Sequence, residues 1–489
     1  MARVLNPNSV LQPDNPMAPI DRLPVEILAR IFRALIALHH PNLRSANHYE
    51  PWASSLNREV DITLRWLPVT HVSQRWRAVA LQNALLWTTV YADLGLSGTQ
   101  EMLARSKGLP LDMQIDLKHA HAIPDAVAQN MSRVVHLDLR VRDAKGLENP
   151  GSFLVTPAPG PGNVIPSSHL DELLEALSRM PNLTSLSLID CLPHVRITDD
   201  EFWTMAEPGH TPVRLPSLCA LDVRGSATDI AALLPHLSVS ATCKMDITYN
   251  VPWDIFSNST SDIDEFGPLL QRSLNMLGKP VLRLAICAAK NSYELSLWTC
   301  THPWPDTSPI PPGASHSRSA HPARPDVRII ASRQLLFGEK SVPFAVYPAD
   351  VEDLPLGSVQ IVDITDRSQV WQPEWWGALL SHMDDVRHIR VNRSLGLDLA
   401  QSLTEDVVPR LETLMFADEP WIDDGVMAET SEILEELSES LHQRVGSTVP
   451  LEKLYFQGYL PDIGEEIEEM YDMLSMKQSV SLELIDESP

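Results

Sequence analysis

Apolar residues recur at two different spacings along the chain, and each spacing predicts a different kind of element. Residues 23–35 carry one apolar stripe on a helix of about 3.6 residues per turn, formed by Ile27, Leu28, Ile31, Phe32 and Leu35. Residues 66–87 repeat this helical spacing. Two such helices bury their stripes against each other, but a unit of fewer than about 80 residues has a marginal core unless a partner covers the rest.

Farther along, the pattern L-x-x-L-x-L, with Val or Ile allowed, predicts a series of strands. It occurs at Val134-Leu137-Leu139, Leu183-Leu186-Leu188, Leu218-Leu221-Val223, Val386-Ile389-Val391, Leu411-Leu414-Phe416 and Leu451-Leu454-Phe456. Helical patterns precede several copies, at 167–180, 228–237 and 430–441. Proline ends the preceding helix before four of the copies, at Pro181, Pro216, Pro409 and Pro450.

This unit of helix, proline and strand resembles the leucine-rich repeat, in which parallel strands line a concave face and helices cover the convex face. The repeats are unevenly spaced, with 35 residues from Leu186 to Leu221 but 25 from Ile389 to Leu414. We therefore expect an irregular horseshoe. Between about 248 and 380 the pattern weakens, and VLRLAIC and YELSLW predict either a hairpin or a distorted repeat, followed by the strands DVRIIAS and SVQIVDI.

The amino-terminal helices carry an ordered set of motifs, namely Leu23-Pro24-Val25-Glu26-Ile27-Leu28, Ile31-Phe32, Val72-Ser73-Gln74-Arg75-Trp76-Arg77 and Leu86-Trp87. This set resembles the F-box motif. Ser73 stands where that family commonly has Cys, and residues 36–63 lengthen the connection between the helices. The following segment, ARSKGLPL at 104–111, resembles a segment found in many fungal F-box proteins with leucine-rich repeats.

The resemblance implies a fold class and a function. We expect an α/β protein with a small N-terminal α-helical F-box followed by the irregular repeat horseshoe. Such a protein is a non-catalytic substrate receptor of a cullin-RING ubiquitin ligase, and its F-box docks on the adaptor subunit. The adaptor-binding residues implied here are Leu23, Pro24, Ile27, Leu28, Ile31, Val72 and Trp76.

The second implied partner is a protein substrate held on the repeats for ubiquitin-dependent degradation. Strand positions between the inward leucines point to the opposite face of a sheet and are expected to line the concave surface. The predicted substrate-binding residues are His136, Asp138, Arg140, Ser187, Asp222, Arg224, Arg390, Met415, Lys453 and Tyr455. A rival interpretation is a repeat scaffold or inhibitor that acts outside any ligase, with the helices serving as a cap for the repeats.

The expected domain organisation follows from these motifs and from composition. It consists of a mobile tail at 1–17, an F-box domain at 18–95 with an inserted loop at 36–63, and a repeat region at 96–489. Two stretches rich in Pro and small polar residues, 151–168 and 301–325, predict exposed loops within that repeat region.

Charge bears on the choice of partner. The formal net charge is -26, which is the wrong sign for binding nucleic acid phosphates. Residues 401–489 hold 22 acidic residues against four basic ones, and we therefore expect a basic substrate segment. Five scattered cysteines and the lack of a long apolar run or an apolar N-terminal stretch predict a cytoplasmic or nuclear protein without membrane contact.

Candidate chemistry is sparse. His119 and His121 form an H-x-H pair, but no third ligand lies at metal spacing and a polar turn is the favoured interpretation. The sequence has no phosphate-binding loop and no nucleophile elbow. We therefore predict no catalytic residue, no metal and no cofactor. Trp371, Trp375 and Trp376 are favoured as core residues over partner anchors.

Overall fold

The computed structural model describes residues 22–39, 67–91, 94–117, 128–141, 168–192, 212–251, 278–289, 292–300, 325–333, 355–366, 371, 373–392, 395–403, 407–417, 436–437, 439–440, 451–457 and 481–485. The chain forms two compact units, Met1–Val134 and Val135–Pro489. The predicted tail at 1–17 and most of the predicted loops lie outside the described residues, as do His119 and His121.

The first unit contains three helices and a pair of strands. Helix α1 spans Val25–His39, α2 spans Gln74–Gln82, and α3 spans Gly95–Arg105. Short 3-10 helices at Leu67–His71 and Ala84–Trp87 flank α2. Strand β1, Thr89–Tyr91, pairs in parallel with β2, Leu111–Asp116. This unit therefore continues past residue 95, where the sequence motifs place the domain boundary.

The second unit is dominated by one sheet. Its described strands are β3 Val134–Arg140, β4 Ser185–Ile189, β6 Ala220–Gly225, β8 Lys244–Val251, β9 Arg283–Ala289, β10 Ser292–Trp298, β11 Val327–Arg333, β12 Ile361–Asp366, β13 His388–Asn392, β14 Thr413–Ala417, β15 Lys453–Gln457 and β16 Ser481–Ile485. Their order is β3-β4-β6-β8-β11-β10-β9-β12-β13-β14-β15-β16.

All neighbouring strands of this sheet are parallel except where β10 takes part. Strand β10 is antiparallel to both β9 and β11, whereas β11 is parallel to β8 and β12 is parallel to β9. The segments VLRLAIC and YELSLW predict either a hairpin or a distorted repeat. The antiparallel pairing of β9 and β10 shows that they form a hairpin. This hairpin and β11 stand between the two groups of parallel repeat strands.

The apolar positions of the repeat pattern align across the sheet as one continuous row. Because the strand register places these residues side by side, each strand of the sheet from β3 to β15 adds one buried side chain to this row. At most 4% of each side chain is exposed in the row formed by Leu137, Leu186, Leu221, Met245, Val327, Leu297, Leu284, Val362, Ile389, Leu414 and Leu454.

Four described helices accompany the sheet. They are α4 Ser168–Ser178, α5 Ala227–Leu233, α6 Pro373–Leu380 and α7 Gly396–Ser402. Helices α4 and α5 bury the leucines that their patterns predict, including Leu177 and Leu233. A separate parallel pair joins β5, Val213–Leu215, to β7, Leu237–Val239.

All six predicted repeat strands are present and parallel, so this prediction is confirmed. The chain is a mixed α/β protein with a large parallel sheet, and this architecture is consistent with a leucine-rich-repeat-like fold. The acidic helix predicted at 430–441 is described only at 436–437 and 439–440, where the backbone is helical.

Candidate interaction surfaces

The first candidate surface lies on the helical unit, where α1 and α2 begin at residues of the F-box-like motifs. The N–H groups of Ile27 and Leu28 both donate to the Pro24 carbonyl at 3.1 Å, so α1 starts at the proline as its pattern predicts. Ser73 caps α2, since its hydroxyl accepts a hydrogen bond from the Trp76 N–H at 3.2 Å. Serine at the position where Cys is common in the family therefore has a structural role here.

Part of the predicted adaptor-binding set forms the contact between these two helices. The rings of Phe32 and Trp76 lie 5.4 Å apart and are tilted against each other. Leu28 is fully buried beside them. Leu28 and Trp76 are therefore core residues in the described structure.

Two arginines of α2 tie the helix pair together. Arg75 donates from its guanidinium to the Leu23 carbonyl, which lies just before α1. Arg77 donates to the Thr70 carbonyl at 3.0 Å. These bonds fix the backbone entering α1 and the turn entering α2, because each joins a side chain to a carbonyl outside its own helix. Arg75 and Arg77, on either side of Trp76, thus position the backbone on both sides of the surface.

Around this core, the helical unit leaves large apolar side chains exposed. Among the described residues, every large hydrophobic side chain with more than about a third of its surface exposed belongs to this unit: Val25 at 50%, Ile27 at 37%, Val72 at 59%, Leu85 at 50% and Leu96 at 40%. Pro24 is also exposed, and Leu23 and Ile31 are half-buried. Clustered exposed apolar residues mark interaction sites, whereas single ones are ordinary.

The segment ARSKGLPL ends α3 and leads the chain into β2. Arg105 lies 4.3 Å above the ring of Trp87, and the buried hydroxyl of Ser106 donates to the Leu103 carbonyl at 2.7 Å. Lys107 and Gly108 follow with positive φ angles of 49° and 81°. The motif therefore has a structural explanation as a helix stop and turn.

A second candidate surface is the alternate face, which we define as the strand positions between the buried leucines. Its central row in register order is Asp138, Ser187, Asp222, Asp246, Arg328, Ser296, Ala285, Asp363, Arg390, Met415 and Tyr455. On β4, β6 and β8 the alternate face is partly accessible to solvent, with small or charged side chains such as Ser185, Ser187 and Arg224.

On strands β9 to β15 many side chains of the same face are buried. Arg283 and Asp363 are 2% and 5% exposed, and Arg283 Nε lies 2.9 Å from Asp363 Oδ2. The Arg283 guanidinium also lies 5.1 Å from the centre of the Trp298 ring. The second oxygen of Asp363, Oδ1, is buried and accepts no hydrogen bond from the described residues. Around this pair the face therefore resembles a polar core more than an accessible surface.

Charged residues also pair across the positions where the strands begin. Burial opposes ionisation of Asp385, but hydrogen bonds from Arg410 and Gln360 outweigh it and lower the pKa of this carboxyl group. Burial also acts on His388, and together with the charge of Arg387 it lowers the pKa of this imidazole to about 4. His388 is therefore neutral in the folded chain at physiological pH.

The predicted substrate-binding residues lie on β3 and on both halves of the alternate face. His136 is exposed, and Arg140, Ser187, Asp222, Arg224, Arg390 and Lys453 are half-buried. Asp138 is nearly buried and forms an ion pair with Arg140. Met415 and Tyr455 lie at the predicted register positions but are only 4% and 2% exposed. Partner binding by this whole set stays a prediction.

Several elements were not foreseen from the pattern. Strand β8 was missed because its first repeat position is Thr242, although K-M-D-I-T-Y alternates in the way a half-buried strand does. The pattern also does not predict β1, β2, β5 and β7. Strands β1, β5 and β7 have only three residues each, and β2 does not contain the repeat pattern. No local signal pairs Arg283 with Asp363, which are 80 residues apart.

The described residues include no group of three or more His, Cys, Asp or Glu side chains placed to hold a metal ion. Nor does the described part of the chain contain a helix with the length and apolar character needed to cross a membrane. Among the three tryptophans that the sequence favours as core residues, Trp376 is fully buried, and the centre of the Trp371 ring lies 5.1 Å from that of Trp376.

Comparison with known proteins returns little. No protein-family model matches the chain, and no curated protein matches its sequence. Among solved structures, the chain is similar to the crystal structure of the leucine-rich repeat-containing protein LegL7 from Legionella pneumophila, with 13% identity and a TM-score of 0.26. This similarity covers 82% of the present chain and 91% of the other.

Proposed function

We propose that the protein is the substrate-recognition subunit of a cullin-RING ubiquitin ligase. In this proposal the helical unit docks on the adaptor subunit, and the repeat region holds a protein substrate. The chain itself performs no bond chemistry. Its contribution is to raise the effective concentration of a target near the ubiquitin carrier.

The observation that best supports the adaptor contact is the uneven distribution of exposed apolar residues. Ile27 and Val72 are exposed at the two F-box-like motifs, whereas none of the exposed large apolar side chains of the described residues lies on the sheet. Exposure of large apolar side chains is unfavourable for an isolated unit, and a partner that covers them removes this penalty. The adaptor of the ligase is the partner that the motif resemblance implies.

The test is capture of the purified adaptor by the full chain carrying Ile27→Asp and Val72→Asp together. We expect the double variant to bind the adaptor at least about 30-fold more weakly, because each aspartate places a charge in an apolar contact. Both side chains are exposed, so the thermal unfolding midpoint is expected to change little.

Leu96→Asp is the matched control. Like Ile27 and Val72, Leu96 is an exposed apolar residue of the same unit, but it lies on α3 and outside the two motifs. Unchanged adaptor capture by the double variant, or equal loss in the control, would contradict the docking assignment.

A further inference from the structure

Helix α1 presents two different surfaces on either side of its buried stripe. Residues four apart lie about 40° apart around a helix, so Ile27 and Ile31 fall on one side of the buried residues Leu28 and Phe32. Val25 and Ala29 fall on the other side, followed by Arg33. The predicted adaptor-binding residues of α1 beyond Pro24 belong to the buried stripe or to the first side.

The second side of α1 forms one wall of an open groove of about 440 Å³. The other wall comes from the end of α2 and the 3-10 helix that follows it. Val79 is buried in this groove, while Val25 and Leu85 are each half exposed at its edge. The groove therefore offers an apolar floor with apolar edges, and its volume is within the usual range for binding clefts, roughly 300 to 1,000 Å³.

The charged residues of the groove are mainly basic. Arg30 and Arg33 both line it and are exposed, and neither guanidinium forms a hydrogen bond or ion pair with any described residue. Glu26 supplies one carboxylate to the same lining. The lining therefore carries a net positive charge beside an apolar floor, in a protein whose overall charge is -26.

We infer that this groove binds an acidic amphipathic segment of a partner protein, separately from the surface of Ile27 and Val72. Apolar side chains of the segment enter the groove against Val79 and Leu85. Its carboxylates pair with Arg30 and Arg33, whose planar guanidinium groups suit bidentate contact with carboxylates. A segment with apolar residues three and four positions apart and acidic residues between them fits both features. This inference stands independently of adaptor docking.

The test uses the full chain and two short fluorescein-labelled peptides with leucines at helical spacing. In one peptide the remaining positions are glutamate and alanine, and in the other lysine replaces every glutamate. Fluorescence anisotropy is expected to show binding of the glutamate peptide, weakening as salt increases, and about tenfold or more weaker binding of the lysine peptide.

Two variants test the site. Arg30→Glu with Arg33→Glu is expected to weaken binding of the glutamate peptide at least about tenfold, and Leu85→Asp is expected to weaken both peptides. Arg214→Glu, at another exposed arginine, is the matched control. Failure of the glutamate peptide to bind, equal binding of both peptides, or unchanged binding after the double reversal would overturn the inference.

Adaptor capture, measured on the same variants, separates the two surfaces. The Arg30→Glu and Arg33→Glu variant is expected to keep adaptor capture, and the Ile27→Asp and Val72→Asp variant is expected to keep peptide binding. If the arginine reversal abolished adaptor capture as well, the groove would belong to the adaptor surface and the inference of a separate site would be wrong.

Discussion

The two halves of the alternate face show the same alternation of side chains along their strands but have different surroundings. On β4, β6 and β8 its side chains are partly accessible, whereas on β9 to β15 many are nearly inaccessible, including Asn392, Thr413 and Tyr455. Alternation along a strand decides which face a side chain occupies. It does not decide whether another part of the molecule covers that face, because coverage depends on residues far away in sequence.

This difference changes what the chemistry of a strand position means for binding. A polar residue on the accessible half is available to a partner without rearrangement. A polar residue on the buried half must instead find its partners inside the protein, because an unpaired buried group destabilises the fold. Arg283 and Asp363 pair in this way through Nε and Oδ2. We therefore expect substrate contacts mainly on β4, β6 and β8.

The largest contrast is expected from a charge introduced on the alternate face in each of the two halves. Met415→Asp places a carboxylate at a buried position and is expected to lower the free energy of unfolding by about 4 kcal/mol. Ser185→Asp is the control, since Ser185 is half-buried and its register neighbours are His136 and Ala220. We expect a change within about 0.5 kcal/mol there. Equal effects in urea unfolding would show that burial does not distinguish the halves.

A somewhat smaller effect is expected when an arginine loses its carboxylate partner. Asp363→Ala leaves Arg283 buried without that partner and is expected to lower the free energy of unfolding by about 3 kcal/mol. Arg328 and Glu294 form a comparable pair, with Nε 2.8 Å from Oε1, but both side chains are partly exposed.

The matched variant for this pair is Glu294→Ala. Because water screens the exposed pair, we expect its loss to lower the free energy of unfolding by about 1 kcal/mol or less. Chemical denaturation of both variants at one pH measures the difference. A Glu294→Ala effect as large as that of Asp363→Ala would show that the pairs are alike and that burial is not the cause.

The sequence predicts the repeat strands well, because each carries its own local signal. Leu186 and Leu188 alternate with serines on β4, and proline ends the helix before them, so both the strand and its face can be inferred from a few residues. The helical unit is predicted for the same reason, since Leu28, Phe32 and Trp76 fall on helical stripes.

The local sequence pattern does not predict which side chains of the alternate face are accessible to solvent. Tyr455 alternates with Leu454 and Phe456 in the same way that Ser187 alternates with Leu186 and Leu188, yet Tyr455 is buried. The groove beside Arg30 and Arg33 escaped notice for a related reason. Its two walls come from segments about 50 residues apart, and only their packing brings Val25 close to Leu85.

The smallest expected effect is a pH dependence that belongs to the buried half. Burial and the charge of Arg387 lower the pKa of His388 from 6.5 to about 4. Between these values the unfolded chain binds a proton at His388 that the folded chain does not, so stability is expected to fall as the pH falls from about 6.5 to about 4. The contribution of Asp385, whose pKa is lowered from 3.8, is lost only below that window. His388→Gln is expected to flatten the slope of unfolding free energy against pH across this window. If the variant kept the slope of the unchanged chain, the pH dependence would not come from His388, and the contrast between the two halves of the face would then rest on packing alone.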